Sequence, residues 1–504
     1  MRKNPHGYWV EFTIYSGKMK EIRMSKVKFL TQESVPLEMH KVSVVQKTVL
    51  QPIERRVKAI RETGFNSYLL TNDDIYLDLL TDSGVNAMSD EQLGAMMRAD
   101  DSYAGSRTFK RLKDKIGEIF GKEYFLPAHQ GRACEHVIAK GLVREGDIVP
   151  MNFFFGTSRT QITLCGGRAE VTLNDEGINL QSDCPFKGNF DLNKLTRALE
   201  AGEGHIPFVR IEAGTNLIGG QPISLSNILD ASRLCRERGV MTILDASLLQ
   251  DNLYFIKTRE EQYRDKSPRE IIAVLSDAVD VIYFSARKLG LARGGAICTN
   301  RKDVYDKLKH YVSTFEGFLT YGGMSVREME AIAVGLDYTL DMDVISQGPR
   351  FIKFLCDELE KQGVPVVTPA GGLGCHLDAR KFVPQLGVRE YPAGSLASAV
   401  YIASGCRGME RGGIDEPWED PDDLPFGAME LVRLAVPRRV YTLSQMKYLV
   451  DRITWLYRNR DAIGGIRFET EKEGPHAFYD RLTPLTDWPE ELIKRFRRDY
   501  GNSL

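Results

Sequence analysis

The stretch Met241-Thr242-Ile243-Leu244-Asp245 has the composition of a short buried β-strand that ends on a carboxylate. Amphipathic helical patterns lie on either side of it, at residues 225–238 and 268–276, and another apolar run follows at residues 279–285. Short apolar strands that alternate with amphipathic helices are typical of a parallel sheet with helices on both faces. This stretch and its neighbours therefore predict an α/β fold built on a largely parallel sheet.

The same alternation extends outward through residues 108–299. Further strands are predicted at residues 123–128, 147–154, 168–173, 207–212 and 294–299, and further helices at residues 108–120, 132–144 and 192–201. From about residue 300 the pattern changes to long helices, at residues 301–315, 325–341, 346–362 and 443–459, with strands at residues 373–378 and 431–436. Long helices with few strands indicate a second, smaller α+β domain.

These changes of pattern divide the chain into five predicted parts. They are an N-terminal extension of unknown role at residues 1–36, a part at residues 37–90 that packs with the small domain, a large domain at residues 91–325, a small C-terminal domain at residues 326–482 and a tail at residues 483–504. Residues 411–427 are rich in Gly, Pro, Asp and Glu, which predicts an exposed loop.

The overall composition excludes several classes of protein. The chain has 504 residues and a formal net charge of -2, so it has no basic footprint for nucleic acid. Its eight cysteines form no C-x-x-C pair, which removes zinc-finger and thioredoxin spacings and favours free thiols in a reducing compartment. No secretory signal and no apolar run of membrane-span length are visible. We therefore expect a cytoplasmic protein without a membrane or nucleic-acid partner.

Two chemical groups follow predicted strands of the sheet. Asp245 ends one strand, Ser285 ends the run Val281-Ile282-Tyr283-Phe284, and Lys288 comes three residues later. Sheets of this kind bind ligands outside the carboxyl ends of their strands. A lysine amine there could form a Schiff base with pyridoxal 5′-phosphate (PLP), and a carboxylate could pair with the pyridine nitrogen of PLP. The alternative is a pair of ordinary turn residues.

A candidate phosphate site lies earlier in the chain. His129-Gln130-Gly131-Arg132 joins a predicted strand to a predicted helix. Backbone N–H groups at a helix start bind phosphate, and glycine allows the ligand to approach closely. Arg132 and the Ser285 hydroxyl could add charge-assisted bonds. The alternative is a strand-to-helix turn without a ligand; no dinucleotide fingerprint or Walker motif is present.

Several longer motifs occur in order along the chain. They lie at residues 78–84 with 86–89, 102–106, 129–132, 216 with 219–222, 285–288, and 432–434 with 437–439. On these motifs the chain, from about residue 37 to 482, resembles the β-eliminating lyases, the family of tyrosine phenol-lyase and tryptophanase. Met409-Glu410-Arg411 is more similar to the tyrosine phenol-lyase branch. The resemblance implies the PLP-dependent transferase-like fold of type I, the aspartate aminotransferase type, with residues 91–325 binding PLP. It also implies a homotetramer, a dimer of dimers.

The resemblance also implies a role for each matching residue. Lys288 would carry PLP and remove the substrate α-proton, Asp245 would pair with the pyridine nitrogen, and Tyr103, from a neighbouring subunit, would protonate the leaving group. The remaining cofactor residues would be Gln130, Gly131, Arg132 and Ser285 at the phosphate, Phe155 stacked on the ring and Asn216 at the phenolic oxygen. The substrate residues would be Arg433 at the carboxylate, with Thr81, Ser83, Met409 and Arg411 lining the rest of the pocket.

The reaction that the resemblance implies is β-elimination from an aromatic, tyrosine-like L-amino acid, which yields pyruvate, ammonium and the leaving group. The family's monovalent-cation site corresponds to Gly84, Asp101 and Arg293. Asp101 is one methylene shorter than the usual glutamate and Arg293 adds a charge, whereas ligation by main-chain carbonyls does not depend on side chains. Potassium binding therefore stays open.

Three active-site positions depart from the family's pattern. Leu248 replaces an arginine near the phenolic oxygen of PLP, Gly156 replaces the threonine of tyrosine phenol-lyase, and Ala477 replaces an aromatic residue or histidine. Loss of a nearby positive charge is expected to raise the pKa of the cofactor's Schiff base. The two small residues imply a wider or differently filled pocket for the substrate side chain.

Two other functions stay open beside aromatic β-elimination. One is a PLP enzyme of the same scaffold with another substrate or reaction, such as carbon–sulfur β-lysis, β-substitution or a specialised biosynthetic step. The three departures favour this reading. The other is a non-catalytic family member, against which Lys288, Asp245, Arg132, Tyr103 and Arg433 all argue.

Overall fold

The computed structural model describes residues 35–202, 204–414, 429–470 and 479–504, together with residues 2–3, 9–10 and 30. Most of the predicted extension at residues 1–36 therefore lies outside the described residues, as do Ala477 and most of the predicted loop at residues 411–427. Two short strands near the N-terminus, β1 (Arg2–Lys3) and β2 (Trp9–Val10), pair antiparallel.

A seven-stranded sheet forms the centre of the larger part of the chain. The short strand β3 (Leu77–Asp78) comes first along the chain and is not part of this sheet. The strands of the sheet are β4 (Tyr124–Ala128), β5 (Ile148–Met151), β6 (Arg168–Val171), β7 (Val209–Glu212), β8 (Thr242–Asp245), β9 (Val281–Ser285) and β10 (Gly295–Thr299). They lie in the order β4-β10-β9-β8-β7-β5-β6, with β10 antiparallel to β4 and β9 and the other pairs parallel. The predicted large, mostly parallel sheet is confirmed.

Helices cover both faces of this sheet. The helices of this half of the chain are α1 (Ile53–Glu62), α2 (Asp90–Met96), α3 (Arg107–Phe120), α4 (Gly131–Leu142), α5 (Gly156–Thr163), α6 (Leu192–Glu200), α7 (Leu225–Glu237), α8 (Leu249–Arg259), α9 (Pro268–Ala278), α10 (Lys302–Tyr311) and α11 (Val326–Gly335). Helix α1 does not cover this sheet but packs in the apolar cluster of the smaller part of the chain. Ile243 and Leu244 are consecutive in β8 but belong to separate apolar clusters. Successive side chains of a strand point to opposite faces, so each face has its own core.

The smaller part of the chain is built on a three-stranded antiparallel sheet in the order β11-β14-β13. Its elements are α12 (Met342–Ile345), α13 (Gln347–Lys361), β11 (Gly374–Asp378), α14 (Ala379–Phe382), α15 (Pro392–Ser404), β12 (Cys406–Arg407), β13 (Met409–Arg411), β14 (Leu431–Ala435), α16 (Leu443–Arg458), β15 (Ile466–Phe468), β16 (Leu482–Pro484) and α17 (Trp488–Tyr500). One apolar cluster joins this sheet to α1 and α17. The domain boundaries stay predictions.

A buried ion pair connects the two parts of the chain beside the edge of the large sheet. The Arg438 guanidinium contacts the Asp251 carboxylate of α8 and donates to the Ile345 carbonyl oxygen at 3.1 Å. The Asp251 carboxylate also accepts the Leu373 N–H at 3.1 Å. Removal of either partner would leave a buried charge unpaired, which is strongly destabilising.

Among the described residues, eight helices were not predicted from the sequence: α1, α2, α5, α8, α12, α14, α15 and α17. All thirteen residues of α15 are buried. A helix that is buried on every side has no periodic polar face, so the pattern that reveals surface helices is missing. In the described part of the chain, no helix is both long and apolar enough to cross a membrane.

Candidate active site

The carboxyl ends of β8 and β9 are joined by a short hydrogen-bonded link. The Ser247 N–H donates to Asp245 Oδ1 at 2.9 Å, and the Ser247 Oγ accepts the Ser285 N–H at 3.0 Å. Asp245 is the last residue of β8 and Ser285 is the last residue of β9, so the two predicted site residues lie at the same edge of the sheet.

Lys288 lies in the turn that follows Ser285. Its carbonyl oxygen accepts a hydrogen bond from Gln250 Nε2 at 2.6 Å. Its Nζ lies 3.8 Å from Asp82 Oδ1 and 5.9 Å from the centroid of the Phe155 ring. The amine therefore faces both the predicted ring-stacking residue and a carboxylate whose role was not predicted.

The start of helix α4 is packed closely against the end of strand β9. Gln130 and Gly131 lie at the start of the helix, and Ser285 is the last residue of the strand. A Cβ on Gly131 would lie 2.8 Å from the Ser285 Cβ, and a Cβ on Gly295 would lie 2.7 Å from the Gln130 carbonyl group. The Gln130 side chain does not cap the helix. The first N–H groups of an α-helix lack intrahelical partners, so this start can bind an anion. The exposed Arg132 side chain stands at the same start. These residues fit a phosphate.

Arg433 is a buried side chain whose guanidinium makes several polar contacts. Its Nη1 donates to Asn216 Oδ1 at 2.7 Å, and its Nη2 donates to the Leu80 carbonyl oxygen at 2.8 Å and lies 2.6 Å from the Met409 Sδ. Burial, aided by repulsion from Arg411, lowers the pKa of Arg433 to about 10. The guanidinium remains a cation at neutral pH and can bind a carboxylate.

Two further buried side chains accompany these arginines. His376 is the cross-strand partner of Arg433, and its ring Nδ1 lies 3.0 Å from the Gly374 carbonyl oxygen. Burial and the neighbouring arginines lower the pKa of His376 to about 3, so the imidazole is neutral. Burial raises the pKa of Tyr68, which lies in the field of Arg411 and Arg433. The sequence prediction missed both His376 and Tyr68.

The predicted substrate residues Thr81 and Ser83 belong to a loop anchored by Arg287. Arg287 Nε donates to the Ser83 Oγ at 3.1 Å, and the Gly84 N–H donates to the Arg287 carbonyl oxygen at 2.9 Å. The Thr81 Oγ1 accepts the Ser83 N–H at 3.0 Å. Because Arg287 precedes Lys288, these bonds bring the loop next to the lysine.

Tyr103 lies on the surface of the protomer and is 74% exposed. Its ring stacks on Phe318 with centroids 6.0 Å apart and meets Tyr321 at 5.3 Å. A hydrogen bond with Tyr321 raises the pKa of Tyr103. The phenol is therefore protonated at neutral pH and accessible to another molecule, as an acid shared between subunits would be.

The residues predicted for the cation site make other contacts. Asp101 is paired with Arg327 at 3.1 Å, and the Arg293 N–H donates to Glu328 Oε2 at 3.2 Å. Within the described ranges, no three or more His, Cys, Asp or Glu side chains are grouped to hold a metal ion. Potassium binding through Gly84, Asp101 and Arg293 stays a prediction.

Leu248 and Gly156, two of the departures, occupy different surroundings. Leu248 is buried against Leu373 and Ala435, and a Cβ on Gly214 would lie 2.9 Å from its own Cβ. Gly156 begins helix α5 directly after Phe155. The position of the missing arginine is therefore filled by an apolar contact between the two parts of the chain.

A cluster of charges that the sequence prediction missed surrounds Asp245. Arg210 Nη2 donates to Asp245 Oδ2 at 2.7 Å, and Arg210 Nη1 donates to Glu212 Oε2 at 3.1 Å. The Tyr283 hydroxyl lies 3.0 Å from Asp245 Oδ2 and 3.2 Å from Glu135 Oε1. The available signal was an arginine and a glutamate within the apolar run at residues 207–212.

Comparison with known proteins assigns the family. A family model described as Beta-eliminating lyase matches residues 78–452. The chain belongs to the β-eliminating lyase family. The resemblance inferred from the motifs is confirmed, and with it the prediction that the protein is a lyase of this family.

Curated relatives match almost the whole chain. The tyrosine phenol-lyase of Symbiobacterium sp. (strain SC-1) is 39% identical over 453 residues, which cover 89% of this chain and 99% of that protein. The tyrosine phenol-lyase of Pasteurella multocida is 37% identical over 456 residues, covering 89% and 99%. The probable beta-eliminating lyase of Trichomonas vaginalis is 38% identical over 454 residues, covering 89% and 98%.

Solved structures support the fold. A serine palmitoyltransferase of Sphingomonas wittichii superposes with a TM-score of 0.54 at 12% identity, covering 82% of this chain and 97% of that one. An aspartate aminotransferase of Thermotoga maritima gives a TM-score of 0.54 at 14% identity, covering 81% and 96%. The predicted fold of type I, the aspartate aminotransferase type, is confirmed.

Proposed function

We propose that this β-eliminating lyase uses PLP and acts on an aromatic, tyrosine-like L-amino acid. The observation that carries the proposal is the convergence of three features at one sheet edge. They are the amine of Lys288, the carboxylate of Asp245, and the close contact of Gly131 with Ser285 at a helix start. These supply an attachment point, a partner for a ring nitrogen and a phosphate cradle.

The residues of this edge would hold PLP as follows. Gln130, Gly131, Arg132 and Ser285 would bind its phosphate, Asp245 its pyridine nitrogen, Asn216 its phenolic oxygen, Phe155 one face of its ring and Lys288 its aldehyde carbon. When bound, PLP supplies an electron sink for the electrons left on the substrate Cα after its proton is removed.

Substrate binding and proton transfer fall to separate side chains. Arg433 would bind the substrate carboxylate with its planar fork, a role for which the bond to Asn216 orients it. The Lys288 amine would then take the Cα proton. Tyr103, from a second subunit, would give its hydroxyl proton to the leaving group as the bond from Cβ breaks.

The overall reaction balances with one water molecule. The amino acid and water become pyruvate, ammonium and the protonated leaving group. For a tyrosine-like substrate the leaving group is a phenol, and we propose that Arg411 donates to its hydroxyl. A homotetramer, a dimer of dimers, and a cytoplasmic location belong to this proposal; the free state of all eight cysteines agrees with a reducing compartment.

A panel of amino acids tests the substrate. Protein loaded with PLP would be incubated with tyrosine, tryptophan, S-substituted cysteines and serine, and pyruvate would be measured. Pyruvate chiefly from tyrosine is expected. Pyruvate chiefly from an S-substituted cysteine, or none from any of them, would instead favour a changed substrate or reaction, the second candidate that Leu248 and Gly156 suggest.

Gly131→Ala should weaken PLP binding about tenfold or more. The new Cβ would lie 2.8 Å from the Ser285 Cβ, so α4 or Ser285 must move away from the phosphate. Overpacking of this kind costs about 1–3 kcal/mol, and about 1.4 kcal/mol is a tenfold change in affinity. Equilibrium titration of the apoprotein with PLP measures the dissociation constant. Gly117→Ala is the control, because its Cβ would meet no atom closer than 3.6 Å. Equal affinities of the two variants for PLP would contradict a phosphate site at the start of α4.

Leucine in place of arginine at position 248 predicts a change in the pH at which the bound cofactor loses a proton. The visible absorbance of the bound cofactor should change between its low-pH and high-pH forms at a higher pH than in a family member with arginine at this position. A nearby cation favours loss of a proton, and here that cation is absent. Spectrophotometric titration of the two proteins side by side measures the difference, and coincident midpoints would refute it.

A further inference from the structure

Arg210 is the central member of the charged cluster beside Asp245. All its nitrogens have partners: Nε donates to the Tyr283 hydroxyl at 2.9 Å, Nη1 to Glu212 and to the Phe153 carbonyl oxygen at 3.2 Å, and Nη2 to Asp245 at 2.7 Å. Its side chain is only 3% exposed. A guanidinium has five N–H donors, and Arg210 makes four hydrogen bonds with them. These bonds hold the side chain in one orientation.

The register of the parallel strands explains the cluster. Glu212 of β7 lies beside Asp245 of β8, and Asp245 lies beside Tyr283 of β9. These three side chains therefore form one row on the same face of the sheet. Arg210 precedes Glu212 by two residues in the same strand and shares that face, where it lies between the two carboxylates.

The cluster contains three carboxyl groups around one guanidinium, whereas a simple ion pair contains one of each. Glu135 of α4 covers the same face, with its Oε1 3.8 Å from Arg210 Nη2. Burial raises the pKa of Glu135 to about 7 and raises the pKa of Glu212 as well. Arg210 is the only cation that the described structure pairs with this group of carboxylates. The two oxygens of Asp245 have different partners within the described part of the chain: Oδ2 contacts Arg210 and the Tyr283 hydroxyl, whereas Oδ1 accepts the Ser247 N–H.

We propose that Arg210 is a positioning residue of the cofactor site, which holds Asp245 by Oδ2 so that Oδ1 is presented to the pyridine nitrogen of PLP. The inference rests on the proposed use of PLP. Glu212 in turn holds the guanidinium, and its Oε1 accepts the Asn216 N–H at 3.1 Å, so one network orients residues at both ends of the cofactor ring. A carboxylate fixed in this way would pair with the pyridine nitrogen of PLP and keep that nitrogen protonated.

A charge-balanced double variant, Arg210→Met with Glu212→Gln, tests the proposal. It removes one positive and one negative charge, and the glutamine can still accept the Asn216 N–H. Replacement of a buried ion pair by groups of similar volume is often tolerated, so the variant should fold. We expect its PLP dissociation constant to rise about tenfold, as for loss of one charge-assisted bond. With PLP labelled with ¹⁵N in the ring, the nitrogen signal should move toward that of the unprotonated pyridine at neutral pH.

Two single variants separate positioning from a structural role. Glu212→Gln keeps Arg210 on Asp245 and should retain the ring-nitrogen signal of the original protein. Arg210→Lys keeps a cation within reach of Asp245 and should restore that signal at least partly. A double variant that melts like the original protein and has the same PLP affinity and ¹⁵N signal would overturn the role of Arg210. If the original protein itself shows no visible PLP band, the proposed function fails instead.

Discussion

Lys288→Ala is expected to lower kcat by about 10,000-fold or more, with little change in the melting temperature. The variant loses the amine that would both attach the cofactor and take the Cα proton, and each of these functions contributes several orders of magnitude. Pyruvate release from the best substrate of the panel measures the rate. Borohydride treatment followed by peptide mass analysis should label Lys288 in the original protein and label no residue in the variant.

An exposed lysine provides the matched control for this experiment. Lys302 lies on the surface of α10 and is paired with Asp306, so Lys302→Ala should keep the original rate. Retention of more than about a tenth of the rate in Lys288→Ala would reject the assignment, because a general base alone contributes about 100-fold or more. Borohydride labelling of a different lysine would show that PLP is attached to that lysine and not to Lys288.

Tyr103→Phe is expected to lower kcat by about 100-fold to 10,000-fold, the range for loss of a general acid. The substitution removes only the hydroxyl, so the stacking with Phe318 and the value of KM should change little. The loss should be largest for tyrosine and smallest for substrates with leaving groups that depart without a proton. A uniform loss across all substrates would argue against a role in protonation.

Mixing two inactive variants tests whether Tyr103 acts in a neighbouring subunit. After subunit exchange, Lys288→Ala and Tyr103→Phe chains should form hybrid sites that combine an intact Lys288 with an intact Tyr103, and activity should reappear. If Tyr103 acted within its own chain, every site would lack one group and no activity would return. Tyr124→Phe in place of Tyr103→Phe is the control for the tyrosine substitution, and co-purification of the two chains through different affinity tags checks that hybrids form.

Local patterns in the sequence were sufficient for most of the sheet. The strand predicted at residues 241–245 is observed as Thr242–Asp245, and the strand predicted at residues 279–285 is observed as Val281–Ser285. A strand buried on both faces is an uninterrupted apolar run, so its end is visible as the first polar residue. The positions of Asp245 and Ser285 at strand ends followed from that signal alone.

Two of the helices that were missed, α15 and α8, show where local patterns fail. Helix α15 is buried on all sides, so no amphipathic period marks it. Helix α8 carries the buried polar residues Gln250, Asp251 and Asn252, whose hydrogen-bond partners come from distant parts of the chain. A buried polar residue resembles a surface residue until its partner is known.

By itself, the sequence determined the class of fold, the family and the residues at the sheet edge, because apolar runs and long ordered motifs depend only on neighbours along the chain. Only the tertiary structure decided what surrounds those residues. Arg210 meets Asp245 because β7 and β8 pair in one particular register, and His376 meets Arg433 because β11 and β14 do. Shifting either register by one residue would turn these side chains to opposite faces, and the paired residues lie far apart along the chain. The charges beside the proposed cofactor carboxylate are therefore a property of strand pairing.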